Sequence, residues 1–196
     1  QRLDPDRRVR GEEGVADLLR LLGPLTVEEV AQRLQGSAEA AESETDATEA
    51  TDAAAPPPAT VETAAAHLTA LVAAKRALAV TYAGTERYAA IEDASRLRDA
   101  LGVPLPIGVP VAFIEPVDDP LGDLVSRYAR THGPFEIGEL ATTFGLGPAI
   151  VQDALRRLSY DGRVVEGEFR PHAHGSEWCD AEVLRRLRRM SLAAPR

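Results

Sequence analysis

The feature that most constrains this chain is that it repeats itself. Gly23-Pro24-Leu25-Thr26-Val27-Glu28-Glu29-Val30-Ala31 aligns with Gly133-Pro134-Phe135-Glu136-Ile137-Gly138-Glu139-Leu140-Ala141 at an offset of 110 residues, and Val15 meets Val125 at the same offset. Farther on the offset becomes 87, pairing Leu68 with Leu155, Leu71 with Leu158, Arg76 with Arg163, Tyr82 with Phe169, Ile91 with Trp178 and Asp93-Ala94 with Asp180-Ala181. The offsets differ by 23 residues, the length of an insertion in the first copy. One supersecondary unit is thus used twice, and any fold assigned to one copy must suit the other.

Both copies predict the same order of elements. Apolar residues at helical spacing (Val15, Leu18, Leu19, Leu22; then Leu124, Val125, Tyr128) give a first helix, which Gly-Pro ends because glycine terminates helices and proline cannot continue them. A short extended stretch leads to a second helix, near Val27–Leu34 and Ile137–Phe144. In the second copy Gly145-Leu146-Gly147-Pro148 turns into a third helix, with Pro148 suited to its first turn and Val151, Ala154, Leu155 and Leu158 on one face. Asp161-Gly162 is a turn and Arg163–Arg170 a strand. After the loop Pro171–Ser176, Glu177–Cys179 returns, and Asp180 caps a last helix from Ala181 to about Met190.

Three helices followed by a two-stranded hairpin is the order of a winged helix-turn-helix, the second and third helices forming the helix-turn-helix and the hairpin the wing. The predicted fold is α+β, mostly helical, with two tandem winged helix-turn-helix domains at 12–102 and 121–190. Tails occupy 1–11 and 191–196. A proline-rich linker at 103–120 carries Leu105, Ile107, Val111, Phe113 and Ile114, which suggest a connector packed on the domains.

Charge divides the chain. The net charge is −9, but residues 1–119 carry 11 basic and 21 acidic side chains while 120–196 carry 11 and 10. Six carboxylates (Glu39, Glu42, Glu44, Asp46, Glu49, Asp52) and no base fall between Gly36 and Thr60, among Ala, Ser, Thr and Pro56-Pro57-Pro58. With no large apolar residue to offset chain ordering, 36–60 is expected to be a disordered, dispensable acidic loop. The inserted residues fall on this segment.

Several function classes are excluded. No stretch approaches the roughly 20 apolar residues that span a bilayer, so no membrane partner is expected. Cys179 is the only cysteine, which rules out a disulfide framework or cysteine-rich metal site and fits a reducing cytoplasm. Met190 is the only methionine, so the chain is expected to be a piece of a longer protein. His172, His174 and Cys179 are zinc-type donors, yet a closed site needs four ligands, and the first copy builds its hairpin with Gly84-Thr85-Glu86-Arg87-Tyr88. No metal site and no catalytic residue is expected; phosphate-loop, nucleophile-elbow and zincin motifs are absent from the sequence.

Nucleic-acid binding needs positive charge where a helix or wing reaches phosphate. In the second copy, with Val151, Leu155 and Leu158 facing inward, the far side of the third helix offers Gln152 and Arg156, and the wing adds Arg163, Arg170, His172 and His174. Asp153, Glu166 and Glu168 lie among them, so DNA binding is expected to be weak and led by the second copy. In the first copy the corresponding positions are Thr63, Ala65, Ala66 and Thr69, which suit protein contact better than DNA. Arg185, Arg186, Arg188 and Arg189 on the last helix suit either a nucleic-acid channel or cover for a neighbouring domain. A transcription regulator, which would need sequence-specific binding, is a rival reading.

Gly162-Arg163-Val164-Val165-Glu166-Gly167-Glu168-Phe169-Arg170-Pro171 and Glu177-Trp178-Cys179-Asp180-Ala181, with the arginine-rich helix after it, closely resemble the C-terminal region of the bacterial long-form large helicase-related (Lhr) family. Ile91-Glu92-Asp93-Ala94-Ser95-Arg96-Leu97-Arg98-Asp99-Ala100-Leu101 and Asp119-Pro120-Leu121-Gly122-Asp123-Leu124-Val125 resemble the same region. The resemblance implies a superfamily 2 ATP-dependent 3′-to-5′ DNA helicase of DNA repair, with this chain a non-catalytic tandem winged-helix segment for DNA engagement or oligomeric assembly. It implies no cofactor in this segment, ATP and Mg belonging to the parent's helicase core, and as partners DNA, the parent's other domains and further copies of the parent in a homo-oligomer. It also implies a cytoplasmic, nucleoid-associated protein. The alternative is part of a DNA glycosylase-like unit, excising uracil or damaged bases, whose catalytic barrel lies beyond this chain.

Overall fold

A computed structural model describes residues 3–36, 57–171 and 175–193, and among them the chain forms two compact units. The first comprises Gln1–Val80, Glu86–Glu92 and Pro106–Val109; the second comprises Thr81–Thr85, Asp93–Leu105 and Pro110–Arg196.

In the first unit α1 (Gly11–Leu22), α2 (Val27–Arg33) and α3 (Val61–Ala73) enclose Val15, Leu18, Leu19, Val30, Leu34, Leu68 and Leu71, all buried. The entry to α2 is fixed by a reciprocal capping box: the Glu29 N–H donates to Thr26 Oγ1 at 3.3 Å, and the Thr26 N–H donates to Glu29 Oε2 at 2.9 Å. Strands β1 (Ala77–Tyr82) and β2 (Thr85–Ala90) form the hairpin of the first repeat, whose turn residues Thr81–Thr85 cluster with the second unit, and Leu25 bridges Tyr88 as a third, one-residue strand. The hairpin turns on Ala83-Gly84, both at positive φ (49° and 72°), the backbone a two-residue turn demands.

The second unit repeats this order with α5 (Pro120–Thr131), β3 (Phe135–Glu136), α6 (Ile137–Phe144), α7 (Pro148–Tyr160), β4 (Val164–Gly167), β5 (Glu177–Asp180) and α8 (Ala181–Ala193). Its sheet has the order β3-β5-β4, all antiparallel, with Phe135 opposite Trp178. Leu124, Val125, Phe135, Leu140, Val151, Leu155, Leu158, Val164 and Trp178 are buried. Glu136 and Glu139 rebuild the capping box of α6, and Asp180 Oδ1 accepts from the Glu182 and Val183 N–H groups at 2.8 and 3.0 Å to cap α8. Both copies are winged helices, and the α+β, mostly helical reading holds.

Several details differ from the sequence reading. Helix α4 (Ala94–Leu101) ends the first repeat in sequence but belongs to the second compact unit. It is joined to α5 by Arg127 donating to both Asp93 oxygens, at 2.5 and 2.7 Å, and by Arg96 donating to Asp123 at 2.8 Å. The compact units therefore divide the chain differently from a boundary at 102/103. Ile91 and Trp178 are not structural counterparts, because the residue facing Leu25 is Tyr88, whereas the one facing Phe135 is Trp178. A 3₁₀ turn, Ile91–Asp93, intervenes between β2 and α4, while β5 runs straight into α8.

Strand β4 stops at Gly167 rather than Arg170, since the Phe169 and Arg170 N–H groups donate to Glu177 Oε2 instead of to a ladder. The segment called a tail at 1–11 is tied down at Val9, which donates to the Arg33 carbonyl and accepts from the Gln35 N–H, both at 2.9 Å. In the linker Val103 is buried, but Ile107 and Val111 are exposed, so only part of it packs.

The ends of the segment 36–60, expected to be disordered throughout, are ordered. The Gly36 N–H donates to the Pro57 carbonyl, the Ala59 N–H to Leu34, and Thr60 caps α3; residues 37–56, with all six carboxylates, lie outside the described residues. Because Gly36 and Pro57 already meet, a deletion joining them is expected to leave the thermal midpoint nearly unchanged, closure entropy varying only slowly with loop length. A drop of more than a few degrees in a melting curve would show that the segment contributes packing.

Candidate nucleic-acid interface

The helix-turn-helix of the second unit consists of α6, the turn at Gly145-Leu146-Gly147 and α7. Gly145 sits in the left-handed region (φ 66°) and ends α6, and Pro148 opens α7 at a position where its missing N–H costs nothing. Packing of Val151, Ala154, Leu155 and Leu158 then leaves Ala149, Ile150, Asp153, Arg156, Arg157 and Tyr160 exposed. Gln152 is half-buried at the edge of that face.

The cations on this face differ in how free they are. Arg157 is bound to Asp153 one turn back and to Asp119 at 3.4 Å, so those charges largely cancel. Arg156 makes no ion pair among the described residues, which leaves it the available phosphate fork on α7. Arg163, at the root of the wing, donates to the hydroxyl of buried Ser126 at 2.7 Å, an anchor onto α5.

Arg170 is more committed still. Its guanidinium is bonded to Glu177 and lies 3.7 Å from Glu136 and 3.5 Å from Glu139, so three carboxylates surround it. Glu177 is fully buried. Burial pushes its pKa up, but the Arg170 and Phe169 N–H groups and the Arg170 guanidinium outweigh that and hold the carboxyl below its ordinary value. This cluster closes the base of the wing. His172 and His174 lie outside the described residues.

The structure thus leaves Arg156 on the exposed face of α7 with half-buried Gln152 at the edge of that face, and places Arg163 and Arg170 in bonds that organise the wing. The sequence reading missed Tyr160, 93% exposed at the end of α7, and Ile150, 52% exposed near its start. Their signal was positional: both lie off the Val151/Leu155/Leu158 face.

On α8 Arg185, Arg186 and Arg189 share one carboxylate, Glu182, at 2.8, 3.6 and 3.7 Å, while Arg188 has no ion pair among the described residues. The first unit contrasts with the second, since α3 exposes Thr63, Ala66 and Thr69, none of which carries charge. Burial, with the charges of Asp180 and Glu177, pushes the Cys179 thiol up to about 11, so it is not a ready nucleophile near neutrality. Among the described residues no group of three His, Cys, Asp or Glu could hold a metal ion, and no helix is long and apolar enough to cross a membrane.

The profile of the family described as large helicase-related protein, winged-helix domain, matches residues 1–57 and 44–116. A Mycolicibacterium smegmatis protein named "Lhr helicase/ probable uracil glycosylase" is 50% identical over 196 residues, all of this chain and 11% of that protein. The Escherichia coli "Lhr helicase/uracil glycosylase" is 41% identical over the same 196 residues, again 11% of its length. The chain therefore spans about a ninth of each of these relatives.

Proposed function

The chain belongs to the large helicase-related family, within its winged-helix region, and from that premise we propose that it is a non-catalytic DNA-engaging segment of an ATP-dependent 3′-to-5′ DNA helicase. The second winged helix touches DNA through Gln152 and Arg156, with the wing alongside; the first meets protein, either another domain of the parent or a further copy in an oligomer. ATP and Mg belong to the helicase core, and the process served is DNA repair in the cytoplasm, at the nucleoid.

The observation that carries this reading is a difference between two copies of one fold. Arg156 has no ion pair among the described residues on the exposed face of α7, whereas α3 has Thr69 at the equivalent position. The core does not require the arginine, so its role lies outside the fold.

Binding of this chain to a labelled 20-base-pair duplex, followed by anisotropy across a salt series, tests the reading. With Arg163 and Arg170 held by protein groups, few phosphates remain to be neutralised, and each contributes roughly 0.9 to the log–log slope. The expected slope is shallow, of magnitude below about three, and Arg156→Ala is expected to reduce it by about one. Unchanged affinity and slope in Arg156→Ala would remove α7 from the interface and make Arg188 on α8 the leading contact. A second reading, part of a glycosylase-like unit, rests on the names of the two relatives. Incubating the chain with a uracil-containing oligonucleotide separates the two, since the segment as proposed excises nothing.

A further inference from the structure

We propose that Tyr160, with Arg156 one turn before it, forms a stacking site for an unpaired base, so that the second winged helix prefers single-stranded DNA at this point over intact duplex. The proposal rests on the DNA-engaging reading above and names the form of DNA it takes.

Tyr160 is the last residue of α7 and is 93% exposed, more than any other large aromatic or aliphatic side chain among the described residues of the second unit. An aromatic ring left in water contributes almost nothing to folding, since its value lies in the area it buries. The repeat supplies an internal control. Leu155 and Leu158 of α7 match Leu68 and Leu71 of α3, and both pairs are buried, so the two helices use the same core face. At the matching exposed positions α3 has Thr69 and Ala73 where α7 has Arg156 and Tyr160. The fold is complete with threonine and alanine there, which leaves the arginine and the ring for a partner.

The pairing of the two side chains points to the ligand. A ring four residues after an arginine on one helical stripe lets a base lie on the ring while the guanidinium takes the adjoining phosphate. Stacking on a ring face needs a base outside the double helix, and every base has such a face, so the site reads strandedness rather than sequence. Arg157 neutralises Asp153 on the same helix, which removes one repulsion toward phosphate. Asp161, exposed beside Tyr160, still opposes phosphate, so the site is weak without neighbouring contacts.

The test compares binding of the whole chain to fluorescein-labelled dT20 and to a 20-base-pair duplex. Tyr160→Ala is expected to weaken dT20 binding at least about fivefold, in the range of one lost stacking contact, while leaving duplex binding and the thermal midpoint unchanged. Tyr160→Phe, which keeps the ring, is expected to match the parent. Arg156→Ala is expected to weaken both ligands. Quenching of 2-aminopurine placed within a dT strand is expected with the parent and with Tyr160→Phe, and to be lost in Tyr160→Ala. Equal dT20 affinity of Tyr160→Ala and parent would overturn the proposal, as would equal losses on dT20 and duplex, which would make Tyr160 a backbone contact. If the parent bound neither ligand, the DNA-engaging reading itself would fall, a result distinguishable from a failure of Tyr160 alone.

Discussion

Asp93→Ala is expected to destabilise the second unit by about 3–5 kcal/mol, the cost of leaving a buried cation without its counter-charge. Asp93 is 3% exposed, and Arg127, which grips both its oxygens, has a side chain only 14% exposed. The hydrogen bonds to Asp93 are the main reason the guanidinium is held above its ordinary pKa, with the Asp93 and Asp123 charges adding to them against burial. The arginine therefore stays charged wherever the protein is folded, and removal of Asp93 cannot be relieved by loss of a proton. Nor can another carboxylate step in, because Asp123 is already bonded to Arg96 at 2.8 Å. Urea denaturation checks the expectation: Asp93→Ala lowers the midpoint strongly, and Asp93→Leu combined with Arg127→Leu recovers much of the loss, since a packed apolar pair replaces a buried ion pair well. A loss below about 1 kcal/mol would place this pair among solvated surface bridges.

The same pair shows where the sequence stopped being readable. Helices were legible because their signals are local: apolar spacing in α1 and α5, Thr26 with Glu29 at the start of α2, Gly145 and Pro148 on either side of the turn. The allegiance of α4 was not, because Ala94–Leu101 has the same pattern whichever neighbour it packs against, and Arg127, its partner, stands 34 residues from Asp93. Sequence order suggested the first repeat; the bidentate pair and the Arg96–Asp123 contact bind α4 to α5 instead.

For the candidate interface the division is similar. Helical periodicity alone put Gln152 and Arg156 on the far side of α7 from Leu155 and Leu158, and the structure leaves Arg156 there without an ion pair among the described residues. Arg163 and Arg170 read as basic residues on a wing because net composition says nothing of partners. Their actual partners, Ser126 and Glu177, are supplied by a separate helix and by the strand across the hairpin. Tyr160 escaped notice because charge and amide chemistry were the criteria for choosing contacts; an aromatic residue two positions beyond the last core leucine, just before Asp161-Gly162, was the available clue.

The wing is expected to depend on a single ionised carboxylate. Glu177 accepts from the Phe169 and Arg170 N–H groups at 2.7 and 2.8 Å and from the Arg170 guanidinium, so Glu177→Ala leaves two backbone donors without an acceptor and loosens the strand end next to Trp178. The sign of the pH dependence follows from the lowered pKa. A carboxyl whose folded value lies below its unfolded one stabilises the fold fully above the ordinary 4.5 and loses that contribution as pH falls from there through the folded value. At neutral pH the parent is therefore expected to melt several degrees above Glu177→Ala, and the gap to narrow on acidification, as the parent's carboxyl takes up a proton and the variant has none to gain. Glu177→Gln keeps one acceptor oxygen and is expected to fall between the two, without the acid dependence. Amide exchange at Phe169 and Arg170 is expected to quicken first, because the broken bonds are theirs, while exchange in the buried part of α7 stays slow. A gap between parent and Glu177→Ala that stayed constant from neutral pH to well below 4.5 would mean that shape, not charge, holds the wing.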